Sequence, residues 1–279
     1  MTPGQLAQLA CVLEATARKP GNVHPDSRFA DASYADFVAS AIAIGPALDQ
    51  ASAQGVGWTV WQAVEATRRV APSNTNLGMI LLLAPLAAVP ADRAIAGADG
   101  VESVLARLTV DDAQQVYAAI RLARPGGLGR VPEQDVDQEP TMPLRPIMAL
   151  AASRDGIARQ YANGYADVLG VGMPALLEWL DRSGSLERAI IGCALTMLAE
   201  LGDGLIGRKC GEAVANEASQ RARAALARGA PLRPEPLAEL DRWLRADGHR
   251  RNPGTTADLV TATLYVWLRE RGPCPLPPW

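Results

Sequence analysis

Histidine and cysteine are scarce in this sequence, with two and four among 279 residues. Cys11, Cys193, Cys210 and Cys274 form no CxxC pair, and the histidines are only His24 and His249, which argues against a structural zinc site and for reduced thiols. Excess positive charge is also missing. A net charge of −3 leaves no basic stripe, so a dedicated nucleic-acid binder is excluded, and a polyphosphate would have to be met by local cations and a metal ion. The chain has no hydrophobic run of membrane length. The apolar stretch from Leu77 to Val89 contains Pro85 and falls short of the ~20 residues of a spanning helix. The first twenty residues carry Glu14 and a late Arg18-Lys19 instead of a basic start, apolar run and cleavage site. A cytoplasmic protein without a membrane partner is expected. No Ser/Gly/Pro-rich linker or charge run divides the chain, and the Pro-rich stretches near 125–146 and 231–236 are loop-sized, so residues 1–279 are expected to form one domain.

Strict apolar/polar alternation is rare, whereas apolar residues recur at three- and four-residue spacing and alanine is abundant. The expected class is all-α, with central apolar helices surrounded by amphipathic ones. Helices are predicted near 5–18, 34–51, 58–70, 76–88, 99–107, 110–123, 144–152, 154–169, 173–181, 186–201, 211–228, 235–246 and 255–271. Ser33 with Asp36, Thr109 with Asp112 and Thr255 with Asp258 have the capping-box spacing, Asp replacing Glu or Gln. Ala39 to Leu48 and Ile190 to Leu201 are apolar on more than one face and are expected at the centre. There is no fixed-period repeat.

Four polar, turn-forming junctions adjoin these helices: Lys19-Pro20-Gly21-Asn22, Asn74-Thr75-Asn76-Leu77-Gly78, Gly202-Asp203-Gly204 with Arg208-Lys209, and Asn252-Pro253-Gly254-Thr255-Thr256. Each has a structural reading and a functional one. Lys19-Pro20-Gly21 has the composition of a helix C-terminus, and residues 74–76 that of an N-cap, although one cap needs one such residue and three are present. Asp203 between two glycines fits a turn. It also fits a carboxylate held ionised by a metal or cation, with Arg208 and Lys209 suited to phosphate. Asp258 reads as the cap partner of Thr255. In the acidic run Glu133, Asp135, Asp137 and Glu139, most members read as a solvated loop; either Asp155 or Asp167 is able to face a pocket, and the six tryptophans read as packing residues.

Taken in order, these segments resemble the triphosphoribosyl-dephospho-CoA synthase family, whose stretches are Lys-Pro-Gly, Asn-Thr-x-x-Gly, an Asp followed by a basic pair, and Pro-Gly-x-x-Ala-Asp-Leu. Arg124-Pro125-Gly126-Gly127-Leu128-Gly129, Asp135-Val136 and Arg154-Asp155-Gly156-Ile157-Ala158 resemble the archaeal and one-carbon-metabolism branch. Asn76 departs from the His of the citrate-lyase branch. The resemblance implies an enzyme that moves the 5-triphosphoribosyl group of ATP to the 2′-hydroxyl of 3′-dephospho-CoA and releases adenine. An acceptor of methanopterin or methanofuran type, or a non-catalytic ATP-binding relative, is the alternative. It further implies Glu14 and Asp203 as catalytic carboxylates. Implied substrate ligands are Lys19, Gly21, Asn22, Asn74, Thr75, Asn76, Gly78, Arg208, Lys209, Asn252, Gly254 and Thr255. Mg2+ is expected with the triphosphate, at Glu14, Asp203 and Asp135. His24 fits a structural hydrogen bond equally well, and a homo-oligomer is compatible with all of this.

Overall fold

The computed structural model describes residues 1–126, 131, 133–272 and 274–279; the Gly127-Leu128-Gly129 part of the branch motif lies outside them. The described residues form an all-α single domain without strands. In chain order the helices are α1 Pro3–Thr16, α2 Tyr34–Asp49, α3 Ala51–Gln54, α4 Val56–Val70, α5 Leu77–Ala88, α6 Val101–Ala106, α7 Val110–Ala123, α8 Leu144–Ala151 and α9 Gly156–Asn163. A π-helical turn at Val168–Gly172 is followed by α10 Met173–Ser183, α11 Leu186–Leu201, α12 Gly204–Cys210, α13 Glu212–Ala227, α14 Pro234–Arg245 and α15 Gly254–Glu270. No single described helix is long and apolar enough to cross a membrane.

The centre is α5 and α15. Eleven of the twelve residues of α5 are buried, and α15 packs against α1, α5, α9, α10, α11 and α12. Of the two segments expected there, α11 is buried as its sequence implies, whereas α2 lies further out and leaves Ile42 60% exposed. The reason is a proline and a glycine. Gly4 and Gly45 let α1 and α2 approach so closely that a Cβ on Gly4 would overlap the Gly45 carbonyl, which turns one face of α2 inward and the other out. Pro46 has no N–H for the Ile42 carbonyl, and Gln8 Nε2 donates to it instead at 2.8 Å.

The same device holds the core. Pro85 deprives the Leu81 carbonyl of its helical donor, and the Tyr161 hydroxyl donates to that oxygen at 2.6 Å while Tyr165 donates to Leu82 O at 2.7 Å. Both tyrosines are fully buried. A central helix thus holds a proline without leaving the Leu81 carbonyl unsatisfied.

Ser33 with Asp36 and Thr109 with Asp112 form reciprocal capping boxes, as does Thr2 with Gln5, which starts α1 two residues before the predicted position. Three expectations are corrected. The helix at 154–169 ends at Asn163, because Gly164 and Tyr165 take left-handed conformations (φ 68° and 65°). The segment after Asp203 is helical from Gly204, so Arg208 and Lys209 sit in the last turn of a short helix. The third is the supposed box at Thr255. Helix α15 begins at Gly254, placing Asp258 in its second turn, where it caps nothing.

Candidate active site

A cavity of about 1070 Å³ lies where α1, α5, α9, α12 and α15 meet. That exceeds the roughly 300–1,000 Å³ of an ordinary single-ligand pocket. Asn22, Asn74, Thr75, Asn76, Gly78, Arg208, Lys209, Asn252, Gly254 and Thr255 all line it, so the four junctions, far apart in sequence, meet in space.

Their local folding explains how each side chain is held. Asn74 Oδ1 accepts the Leu77 N–H, serving as the side-chain cap of α5, and Thr75 Oγ1 lies 2.6 Å from Ser40 Oγ. Asn76 Oδ1 accepts from Thr67 Oγ1, which points its amide nitrogen elsewhere; that Nδ2 is buried and has no hydrogen-bond partner among the described residues. The first turn of α5 also leaves the Gly78 and Met79 N–H groups without a described acceptor. Lys209 Nζ donates to Asn252 Oδ1 at 3.3 Å. Arg208 pairs with Asp155 at 2.6 Å, leaving its Nε unpartnered. Asp155 is the cap of α9, its other oxygen accepting from Ile157 and Ala158 N–H. It lines the cavity, whereas Asp167 is held away from it by Arg159 and Gln160.

Besides Asp31 and Asp155, two further carboxylates face the same space. Glu14, on α1, is 2% exposed and forms an ion pair with Lys19 at 2.9 Å. Asp258, on α15, has no side-chain hydrogen bond or ion pair among the described residues. Burial pushes both carboxyls above their ordinary range. Asp258 is raised well above it, with the negative charges of Glu14, Asp203 and Asp155 adding and Arg208 opposing. Glu14 is raised less freely, because Lys19 acts against its burial. Gly78 makes room for this arrangement: a Cβ there would overlap Asp258 Oδ2.

A family model described as CitG, ATP:dephospho-CoA triphosphoribosyl transferase, matches residues 1–274. The chain belongs to this family. Among solved structures, it is similar to a putative triphosphoribosyl-dephospho-CoA synthase from Archaeoglobus fulgidus, with 28% identity and a TM-score of 0.67 over 84% of this chain and 98% of that one. No curated protein matches it. The protein is therefore an enzyme of the ATP:dephospho-CoA triphosphoribosyl transferase family, and its site must accommodate two nucleotides.

Several expected site residues of the transferase lie outside the cavity. Lys19 is 1% exposed and spends its ammonium on the Glu14 carboxylate and on the Glu14 and Ala17 carbonyls, so it positions Glu14 and does not reach a phosphate. Gly21 serves the backbone: with φ 77° it turns the chain, its N–H bonding Asp241, and a Cβ would come 2.9 Å from Pro253 Cδ. Asp203 does not line the large cavity. One oxygen accepts the N–H groups of Leu205 and Ile206, and the other accepts from the N–H and hydroxyl of Thr256. Four donors make it a cap and a brace between α12 and α15. Asp135 is buried in its own loop, bonded to the Val131 and Asp137 N–H groups, while Glu133, Asp137 and Glu139 are exposed. Glu14, Asp203 and Asp135 therefore do not fit a shared Mg2+ site, and the described residues contain no cluster of three or more metal-binding side chains.

Sequence reasoning missed Asp258, Phe29, Phe37, Arg68, His249 and Arg250, all in the cavity wall. Phe29 and Phe37 are the only phenylalanines in the chain. The ring of Phe29 lies 4.8 Å from that of His249, a residue with φ 64°. For Asp258 a signal existed: before the closing Arg269-Glu270 it is the only charge in a helix that is otherwise buried.

Proposed function

We propose that this cavity moves the 5-triphosphoribosyl group of ATP to the 2′-hydroxyl of 3′-dephospho-CoA and releases adenine. The observation that carries the proposal is the convergence of four polar junctions with Glu14 and Asp258 on one space large enough for both substrates. The bond that breaks is glycosidic, with an oxocarbenium-like transition state, so the site needs negative charge beside the ribose and water kept away. Glu14, whose ionised form the Lys19 ammonium at 2.9 Å favours, supplies that charge. Arg68, Arg208, Lys209 and Arg250 offer cations to the phosphates, helped by the N–H groups at the start of α5. Asn22, Asn76 and Asn252 suit ribose hydroxyls. Ile120, Ala123, Met148 and Ala151 form an apolar stretch of the wall that matches the pantetheine arm of the acceptor. Mg2+ accompanying ATP would supply charge neutralisation to the phosphates, and no residue of the chain is assigned to hold it.

Purified protein incubated with MgATP and dephospho-CoA is expected to release free adenine and to convert dephospho-CoA to the triphosphoribosylated product, read by chromatography and mass. Adenine formed only with a pterin- or furan-type acceptor would move the protein to one-carbon cofactor synthesis. ADP, or tight ATP binding without product, would overturn the proposal.

A further inference from the structure

Glu14 and Asp258, two of the carboxylates that line the cavity, differ in their charged neighbours, and a glycosyl transfer needs two opposite proton transfers. The acceptor hydroxyl must lose a proton, and adenine departs from carbon far more readily once protonated. Glu14 has a cation at 2.9 Å. Asp258 has none to itself, since Arg208, the cation that opposes its rise, is already paired with Asp155 at 2.6 Å. Around Asp258 stand Glu14 and the inert thiol of Cys11 on α1, Asp203 at the cap of α12, Asp155 at the cap of α9, and Arg208 on α12. Acidic groups outnumber basic ones in this set, and among the described residues no N–H or hydroxyl donates to Asp258.

Resting on the transferase reading, we propose that Asp258 acts in its protonated form as the general acid for the departing adenine, while Glu14 receives the proton of the attacking 2′-hydroxyl. In this step the acceptor oxygen bonds to C1′ of the donor ribose and the C1′–N9 bond breaks. The bonding pair leaves on the base as the Asp258 proton moves to a ring nitrogen, and the hydroxyl proton passes to Glu14. Adenine carries one proton away. Returning the proton on Glu14 to Asp258 through the solvent-open cavity restores both groups, so no further reactant is required. The physical causes agree with the assignment: burial and the charges of Glu14, Asp203 and Asp155 raise the Asp258 carboxyl, whereas Lys19 opposes the rise that burial causes at Glu14.

The test compares ATP with 6-chloropurine riboside triphosphate, whose base departs more easily without a proton. Asp258→Asn is expected to lower kcat with ATP by about 10²- to 10⁴-fold and to lose much less with the chloropurine donor, with ATP binding and melting temperature retained. Wild-type kcat with ATP is expected to fall as pH rises through the Asp258 ionisation, and this basic limb is expected to flatten with the chloropurine donor. The second measurement needs no variant and decides the matter should Asp258→Asn fail to fold. Equal losses with both donors, an unimpaired variant, or the same basic limb for both donors would overturn the assignment alone. Failure of the wild type to release adenine would overturn the transferase reading and the assignment together.

Discussion

Replacing Lys19 by Met tests how the site stores charge. Lys19 is 1% and Glu14 2% exposed, so the variant leaves a carboxylate inside the protein with no counter-ion, and the Glu14 and Ala17 carbonyls lose a charged donor. Removing one partner of a buried pair costs about 3–5 kcal/mol, which is a large share of the roughly 5–15 kcal/mol that stabilises a domain. The loss must depend on pH. In the native protein Glu14 already titrates above its ordinary 4.5, because burial outweighs Lys19. The folded state therefore binds the proton more tightly than the unfolded one, and this contribution to stability is present below pH 4.5 and declines as pH rises toward the folded value. Without Lys19 the folded value moves higher still, so the penalty grows with pH. Urea denaturation at pH 5 and pH 8 is expected to show the larger deficit at pH 8, and adding Glu14→Gln is expected to recover most of it. A Lys19→Met protein with wild-type stability at pH 8, or with the same deficit at both pH values, would refute the account.

Tyr161→Phe leaves the Leu81 carbonyl, freed by Pro85, without its donor, and is expected to lower unfolding stability by about 1–3 kcal/mol in denaturant titrations, with adenine release preserved below the new midpoint. Gly78→Ala drives a methyl group into Asp258 Oδ2 and against Ile157 Cδ1; it is expected to suppress turnover and to lower the melting temperature, since overpacking of about 1–3 kcal/mol exceeds the helix gain of alanine over glycine. Asp155→Asn keeps an oxygen for the α9 cap but removes a negative charge beside Asp258 and frees Arg208, so the fall of kcat with rising pH is expected to begin at lower pH in a pH–rate profile with ATP. Asp203→Asn swaps an acceptor for a donor facing the Thr256 N–H; it is expected to destabilise the protein by about 1–3 kcal/mol, seen as a lower denaturation midpoint, and not to abolish turnover in the folded fraction.

Much of the fold was legible because helix starts and apolar spacing are local. Ser33 with Asp36 and Thr109 with Asp112 start α2 and α7 through contacts three residues apart, which a sequence displays directly. Features decided by distant partners were not legible. The break after Asn163 has a glycine to mark it, yet the left-handed Tyr165 beside it carries no local signal, and its hydroxyl is fixed by Leu82, 83 residues earlier in the chain. Helix α12 was hidden because its seven residues are too few for a periodic pattern, and its cap Asp203 is shared with α15. The order of centrality between α2 and α5 depended on the Gly4–Gly45 approach, which no single-segment pattern contains.

The contrast in hydrogen bonding between Asp203 and Asp258 has the same origin. Both stand near a Gly at the beginning of a helix, and both suit capping and catalysis equally by type. What separates them is the number of donors that the fold supplies. Asp203 accepts from two N–H groups of its own helix and from both donors of Thr256, a residue 53 positions away, so its oxygens are committed before any substrate arrives. Asp258 sits one turn further into α15, past the point where free N–H groups exist, since inside a helix each is taken by the preceding turn. An acidic residue there gains nothing for the helix and carries the expense of burial; it is retained beside a cavity wall that Gly78 leaves open to it. A carboxylate with no partner of its own in a substrate-sized cavity is therefore the one available for chemistry, and the fully bonded one is the one available for architecture.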